Sequence, residues 1–231
     1  MMLVGVRQPL NTQSYTMTMQ PSAQASGVLD EVYRKLGRNV VAFQKLEKLL
    51  KTLAFPTNIE GPVADLPRII AKRRKSIDKM SMGKLADEFH NGVFDKQDPL
   101  DREVLDPTKH CVSFGFRQEF DCKIEEAEKR ALKSLVTERN RLIHRELECL
   151  DLNCDESCRA LVVKLDEQYV RIERQLHDYH AHWEVQKKAS LLLVEFINSD
   201  EGRAALGTGC INATSLVDAA IGIPPSPHTD L

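Results

Sequence analysis

The stretch "VLDEVYRKLGRNVVAFQKLEKLLKTLAFP", residues 28–56, carries apolar side chains at steps of three and four residues. That spacing is typical of one face of an α-helix. The apolar positions are Val28, Val32, Leu36, Val40, Phe43, Leu46, Leu50 and Leu53. Pro56 keeps the residue before it out of the helical region, so the pattern closes at Phe55. The sequence therefore predicts a long amphipathic helix over about 27–54.

Further helical stretches follow this first one along the chain. They are predicted over about 65–80, from about 81 onward, over 122–150 and over 156–198. The last would reach about 60 Å as one helix, so we expect a kink or break in it. These elements predict an all-α fold, a bundle of four to five helices.

Two segments between the predicted helices lack helical periodicity. Residues 56–64, "PTNIEGPVA", are predicted to form a loop. Residues 111–120, "CVSFGFRQEF", alternate apolar with small or polar side chains. We expect the second segment to be a short strand or an extended segment that lies on the helices, just before the helix over 122–150.

The two ends of the chain differ in composition from its middle. Residues 1–26 are rich in Thr, Ser, Gln and Met and predict a disordered extension, whereas 27–198 form the helical domain. Residues 199–231 predict a tail with room for one short helix at 209–224. The N-terminus has no continuous apolar core of a signal peptide, so we expect a cytoplasmic protein with reduced thiols. No apolar run is long enough to span a membrane.

The charges are nearly balanced, with 32 basic and 34 acidic residues and a formal net charge of −2. Such a chain has no global field that would attract nucleic acid, so contact with RNA needs a local basic patch. The best basic run is Lys72, Arg73, Arg74 and Lys75. It is either an RNA-contacting edge or a solvated helix face.

The stretch "LVTERNRLIHRE", residues 135–146, places polar groups within a predicted helix. On an ideal helix Arg139 lies about 40° from Leu135, inside the apolar sector, whereas Asn140 and His144 lie about 140° and 180° away. The same sector contains Ile124, Ala131, Leu142 and Cys149. A buried guanidinium needs a carboxylate or a phosphate, because leaving it unpaired is costly.

Two interpretations of this stretch stay open on the residues alone. In the first, Arg139 pairs with a glutamate of another helix and His144 is solvated. In the second, both residues act on a phosphodiester: arginine offers a fork of donors to phosphate oxygens, and histidine can move the proton of a ribose hydroxyl. Asn140 would orient either of them. Glu138 is either a carboxylate of this site or a solvated residue.

Residues 139–144 also match the arginine, polar residue, three residues, histidine pattern of HEPN domains. More of the chain, about 28–198, resembles a bacterial group of HEPN-like proteins in which some members carry a C-terminal OST-HTH (LOTUS) domain. The stretches concerned are "LGRNVVAFQKLEKLLKTLA" (36–54), "SMGKLADEF" (81–89), "FGFRQEF" (114–120) and "LDEQYVRIERQLHDY" (165–179).

The resemblance implies an all-α domain of four to five helices with the motif on a late helix. It also implies a metal-independent endoribonuclease of toxin or defence type, with its active site at a homodimer interface. Arg139, Asn140 and His144 would then be the catalytic residues. Arg141 and the basic run over 72–75 would contact RNA, and no metal or cofactor is expected. The alternative is a non-catalytic HEPN-like scaffold that binds RNA or a partner protein, such as an antitoxin.

The chain departs from the family pattern in two places. The segment after residue 198 is too short for a winged helix. The nucleotide-transferring branch of the family has a tyrosine two residues after the histidine, where this chain has Glu146. We therefore expect neither that module nor that activity.

Two further clusters of potential metal ligands have a spacing that gives only weak support for a metal site. They are Cys149, Cys154 and Cys158, and His177, His180 and His182. Neither cluster fits a zinc-binding pattern. For the histidines we expect a solvated surface beside Trp183.

Overall fold

The structure, a computed structural model, describes residues 23–57, 59–94, 111–116, 122–146 and 154–206. In these ranges the protein is an all-α bundle with one small β-ribbon, so the predicted fold class is confirmed. The α-helices are α1 (Ala23–Ala54), α2 (Leu66–Asp78), α3 (Met82–Phe94), α4 (Cys122–Arg141), α5 (Asp155–Asn198) and α6 (Asp200–Leu206).

The main core lies between α1, α3, α4 and α5. The predicted apolar stripe of α1 faces this core, and Leu46 and Leu50 are completely buried. Burying one such side chain stabilises the fold by about 1.5–3 kcal/mol. Tertiary packing of the stripe, more than helix propensity, therefore holds α1 in place.

Helices α1 and α5 run parallel and side by side. Lys35 of α1 binds Asp166 of α5, and eighteen residues later Leu53 accepts a hydrogen bond from Gln186, so the partners advance together along both helices. α5 continues as one helix from Asp155 to Asn198, so of the kink or break that we expected the break is absent. The reason is a continuous buried stripe on α5 that includes Cys158, Leu161, Leu165, Ile172, Leu176 and Tyr179.

The end of α5 extends beyond the last turn of α1, which finishes at Ala54. It carries large exposed apolar side chains, Leu191, Leu192, Leu193 and Phe196. The short helix α6 folds back against this end, where Gly202 lies close to the carbonyl of Phe196.

A two-stranded antiparallel ribbon joins β1 (Ile59–Pro62) to β2 (Cys111–Phe114). The extended segment predicted before α4 is confirmed by β2, while 117–120 lie outside the described residues. The loop predicted over 56–64 is wrong, because β1 lies within it between the 3₁₀ turns Phe55–Thr57 and Val63–Asp65. β1 has only four residues, two of which are Gly61 and Pro62, so its sequence shows no strand pattern. Gly61 has a φ of 149°.

The helical boundaries extend the predicted domain at both ends. α1 begins at Ala23, four residues inside the extension that we predicted to be disordered, and 1–22 lie outside the described residues. α6 falls within the predicted tail, whereas the short helix expected at 209–224 lies outside the described part. None of the described helices combines the length and the apolarity needed to cross a membrane.

Candidate functional site

The candidate site lies where α4 changes its geometry. The α-helix ends at Arg141, and Leu142–Glu146 form a π turn. The helix predicted over 122–150 is thus partly confirmed, with 147–150 outside the described residues. A π turn rotates each residue by less than the 100° of an α-helix, so His144 comes round toward Arg139. Such turns are frequent at functional sites.

The three predicted catalytic residues lie at the surface of this helix end. Asn140 and His144 are exposed, and Arg139 is half-buried. Arg139 Nη1 donates a hydrogen bond to Asn140 Oδ1 at 3.1 Å. Within the described part of the chain this is the one side-chain hydrogen bond of Arg139, although a guanidinium has five N–H donors.

Of the two interpretations of this stretch, the pairing of Arg139 with a glutamate of another helix is not seen among the described residues. Leu132, Leu135 and Leu142 face the core and leave Arg139 at its edge. Two residues that we predicted on the apolar face of α4 do not face the core, since Ile124 is 52% exposed and Ala131 is exposed. Cys149, the fourth residue placed in that sector, lies outside the described residues.

The neighbouring Glu138 is half-buried like Arg139, but side chains of α5 bind its carboxylate. Its side chain is 15% exposed, and Arg171 Nη2 of α5 donates to its Oε2 at 2.9 Å. Gln168 Nε2 donates to the same oxygen at 3.4 Å, and Ser134 Oγ donates to Oε1 at 3.3 Å. The expectation of a solvated Glu138 is therefore wrong, and this carboxylate is engaged away from Arg139.

A buried polar layer joins this carboxylate to α1. Asn39 is completely buried, and its Nδ2 donates to Gln168 Oε1 at 3.0 Å and to Leu165 O at 2.8 Å. The layer thus runs from α1 through α5 to Glu138 of α4. It fixes the motif helix against the bundle. In the sequence, Asn39 is a polar residue beside the apolar stripe of α1, and its pattern did not predict these bonds to α5.

An ion-pair cluster extends the same layer to the surface. Lys35 and Arg38 both bind Asp166, and Arg38 stacks on the ring of Tyr169 with its guanidinium carbon 4.0 Å from the ring centre. The hydrogen bond from Lys35, with help from Arg38, lowers the pKa of the Asp166 carboxyl. These charges hold α1 against α5.

The basic run over 72–75 does not form a single exposed edge. Arg73 Nη2 lies 2.6 Å from Glu88 Oε1 of α3 and donates to Ala54 O at 3.0 Å and to Thr57 Oγ1 at 3.2 Å. The guanidinium of Arg73 thus joins α2 to α1 and α3, and its contact with RNA stays a prediction. The guanidinium of Arg74 lies over Phe55, whereas Lys72, Lys75 and Arg141 are exposed.

The histidine cluster is also divided between the interior and the surface. His182 is buried, with Nε2 3.1 Å from Glu128 Oε1, so the solvated position that we expected for it is wrong. His177 and His180 are exposed. Among the described residues no group of three or more potential ligands is placed to hold a metal. Cys158 is buried and Cys154 is half-buried.

The interior beside His182 contains further polar groups that sequence reasoning missed. His90 of α3 is 3% exposed, and burial lowers its pKa to about 4. Tyr179 of α5 is completely buried beside Phe89, and burial raises the pKa of its hydroxyl. These groups belong to the core and lie on other helices than the motif.

The geometry of the α4 end thus brings an arginine with uncommitted donors, an amide and an exposed imidazole onto one short segment. No family model, curated protein or solved structure matches this chain. The chemistry of these side chains is that of phosphate binding and proton transfer.

Proposed function

We propose that the chain is a HEPN-like, metal-independent endoribonuclease that acts at the exposed end of α4, with a site shared between two copies. The observation that carries this proposal is the side chain of Arg139. Its guanidinium bonds the neighbouring Asn140, while Glu138 is engaged by Arg171. Donors of Arg139 therefore remain for the oxygens of a phosphodiester.

The imidazole of His144 supplies the second function that the cleavage of RNA needs. His144 is exposed on the π turn, where a ribose 2′-hydroxyl could reach it. Histidine exchanges a proton near neutral pH and can serve as base for this hydroxyl or as acid for the leaving oxygen. Arg139 would stabilise the charge that develops on the phosphorus oxygens.

The surroundings of the site favour a polyanion. Arg139, Arg141 and Arg145 lie within seven residues and outnumber Glu146 beside them, while Arg171 binds the carboxylate of Glu138. The local charge is therefore positive although the whole chain carries −2. Lys72 and Lys75, both exposed on α2, remain weaker candidates for RNA contact.

A second copy of the chain would complete the site. Arg139 and His144 still point to different sides of the helix, because the π turn reduces the angle between them without closing it. Ile143, directly before His144, is 38% exposed, so its apolar side chain is accessible to a second copy. Packing of this segment across a two-fold axis would bring Arg139 of one copy to His144 of the other.

A non-catalytic scaffold is the second candidate function. The exposed apolar end of α5 favours it, since contiguous apolar surface often marks a site of protein binding. In that case the end of α4 would have no effect on RNA. A partner protein would then be the relevant ligand.

Cleavage of RNA by purified protein distinguishes the two candidates. We expect new 5′ ends from total RNA with the wild type, also in excess EDTA, and a loss of about two to four orders of magnitude in His144→Ala. Arg139→Ala should lose activity as well. The matched control is Arg130→Ala, an exposed arginine on the same helix, which should cleave normally. If wild type and His144→Ala give the same ends between pH 6 and 8, the ribonuclease proposal fails.

A further inference from the structure

We propose that the groove between α1 and α5 is a second RNA site, which holds a single strand by its phosphates and one base. This site rests on the proposed action on RNA but shares no residue with the end of α4. The groove has a volume of about 580 Å³, within the range of sites that hold a ligand of nucleotide size. It is lined by Lys45, Lys48, Leu49, Thr52, Glu173, Leu176, His177, His180 and Trp183.

The parallel arrangement of the two helices places basic side chains opposite each other. The partners of α1 and α5 differ by 131 residues at Lys35 and by 133 at Leu53. Lys45 and His177, and likewise Lys48 and His180, fall between these two offsets, and all four side chains line the groove. Two lysine–histidine pairs thus follow each other along the groove, about 5 Å apart at one helical turn. A row of this kind suits a chain of phosphates better than one isolated anion.

The charge of the groove supports the same ligand. Its lining contains two lysines and one carboxylate, Glu173, which is hydrogen-bonded to Tyr169 at the edge. Lys187 adds a further ammonium group, 5.0 Å from the ring centre of Trp183. Leu49 and Leu176 form a buried apolar floor. The groove is therefore basic along its walls and apolar at its base.

Trp183 supplies a flat surface for an unstacked base. It is half-buried, with its ring edge-on to His180 at 6.2 Å. Aromatic side chains next to a basic track are the usual means of holding single-stranded nucleic acid without a fixed sequence, since every base can stack. An acidic peptide would use the lysines but would gain little from this ring.

Trp183 is also the single tryptophan of the chain, so its fluorescence reports on the groove directly. We would titrate the protein with a uridine decamer in the His144→Ala background, which binds without cleaving if the proposed function holds. The decamer should quench the fluorescence. Free uridine monophosphate should bind at least about tenfold more weakly, because it carries one phosphate instead of a row. Equal affinities would assign the groove to a free nucleotide and overturn a strand site.

Substitution of the two lysines tests the basic walls. Lys45→Gln/Lys48→Gln should weaken decamer binding and lower the slope of log affinity against log salt by roughly 1.4, about 0.7 for each lost phosphate contact. The matched control, Arg159→Gln/Lys164→Gln on the exposed side of α5, should keep the wild-type slope and quenching. Circular dichroism would verify that both variants are folded.

The outcomes separate this site from the proposed function. Quenching that depends on Lys45 and Lys48 supports the groove even if no cleavage is found at the end of α4. Cleavage with an unchanged salt slope in the double variant overturns the groove and leaves the nuclease in place. Equal quenching by a glutamate decamer would also overturn it, because the groove would then recognise charge alone.

Discussion

At the scale of single residues, the neighbours Glu138 and Arg139 of α4 are both half-buried but have different partners. Periodicity correctly placed Leu135 and Leu142 in the core, and His144 outside it. It failed for Glu138 and Arg139, because the partners of Glu138 lie 30 and 33 residues away on α5. No local pattern identifies such partners. Among the described residues, Arg139 therefore forms no ion pair, whereas its neighbour Glu138 pairs with Arg171.

Stability measurements on these neighbours test that assignment. Glu138→Ala leaves Gln168 and Arg171 without their acceptor and should lower the free energy of unfolding by about 1–3 kcal/mol. The half-exposed Arg171 keeps the loss toward the lower end, since water screens its charge. Arg139→Ala should change it by less than about 0.5 kcal/mol. Urea denaturation measures both, and a larger loss for Arg139→Ala would contradict the structure.

His90 predicts how stability depends on pH. Its pKa is lowered from 6.5 to about 4 in the fold, so between these values the unfolded chain binds more protons than the folded one. Stability contributed by the neutral ring is therefore present above pH 6.5 and is lost as the pH falls toward 4. The loss is about 3 kcal/mol at most, from about 1.4 kcal/mol per pH unit.

The matched variants for this prediction are His90→Leu and His144→Leu. Urea denaturation between pH 4 and 7 should give a shallower pH dependence for His90→Leu than for the wild type. His144→Leu, at an exposed position, should keep the wild-type dependence. The same slope in His90→Leu as in the wild type would mean that the His90 ring already titrates as it does in water.

At the scale of elements, the long helices were predictable and their short connections were not. A helix of three turns or more repeats its apolar spacing often enough to be recognised, as in α1 and α5. The strand β1 has four residues, including Gly61 and Pro62, and offers no repeat. The role of α2 was missed for a related reason, since charge alone does not distinguish an exposed arginine from one bonded to main-chain carbonyls.

The anchoring of α2 by Arg73 can be measured against its neighbour Lys72. Arg73→Gln removes the bonds to Glu88, Ala54 O and Thr57, and we expect a loss of about 1–3 kcal/mol in the free energy of unfolding. Lys72→Gln, at an exposed position of the same turn, should stay within about 0.5 kcal/mol. Thermal or urea denaturation of both variants measures these losses. Equal losses would show that Arg73 does not hold α2 in place.

At the scale of the whole molecule, the central claim concerns two copies. The sequence allowed this expectation because Arg139 and His144 diverge on any regular helix, and the π turn that changes their angle has no sequence signature. The proposed site therefore needs a dimer of about twice 26.2 kDa, which light scattering would detect. The exposed Ile143 would lie in the contact between the two copies, next to the imidazole of His144.

Mixing two inactive variants tests this claim most directly. Arg139→Ala and His144→Ala would be unfolded together, refolded as a mixture and assayed for cleavage of RNA. If each site takes Arg139 from one copy and His144 from the other, half of the dimers regain one intact site. Activity should then return to about a quarter of the wild type. Activity that stays at the level of the separate variants, with dimers present in the mixture, would contradict a shared site.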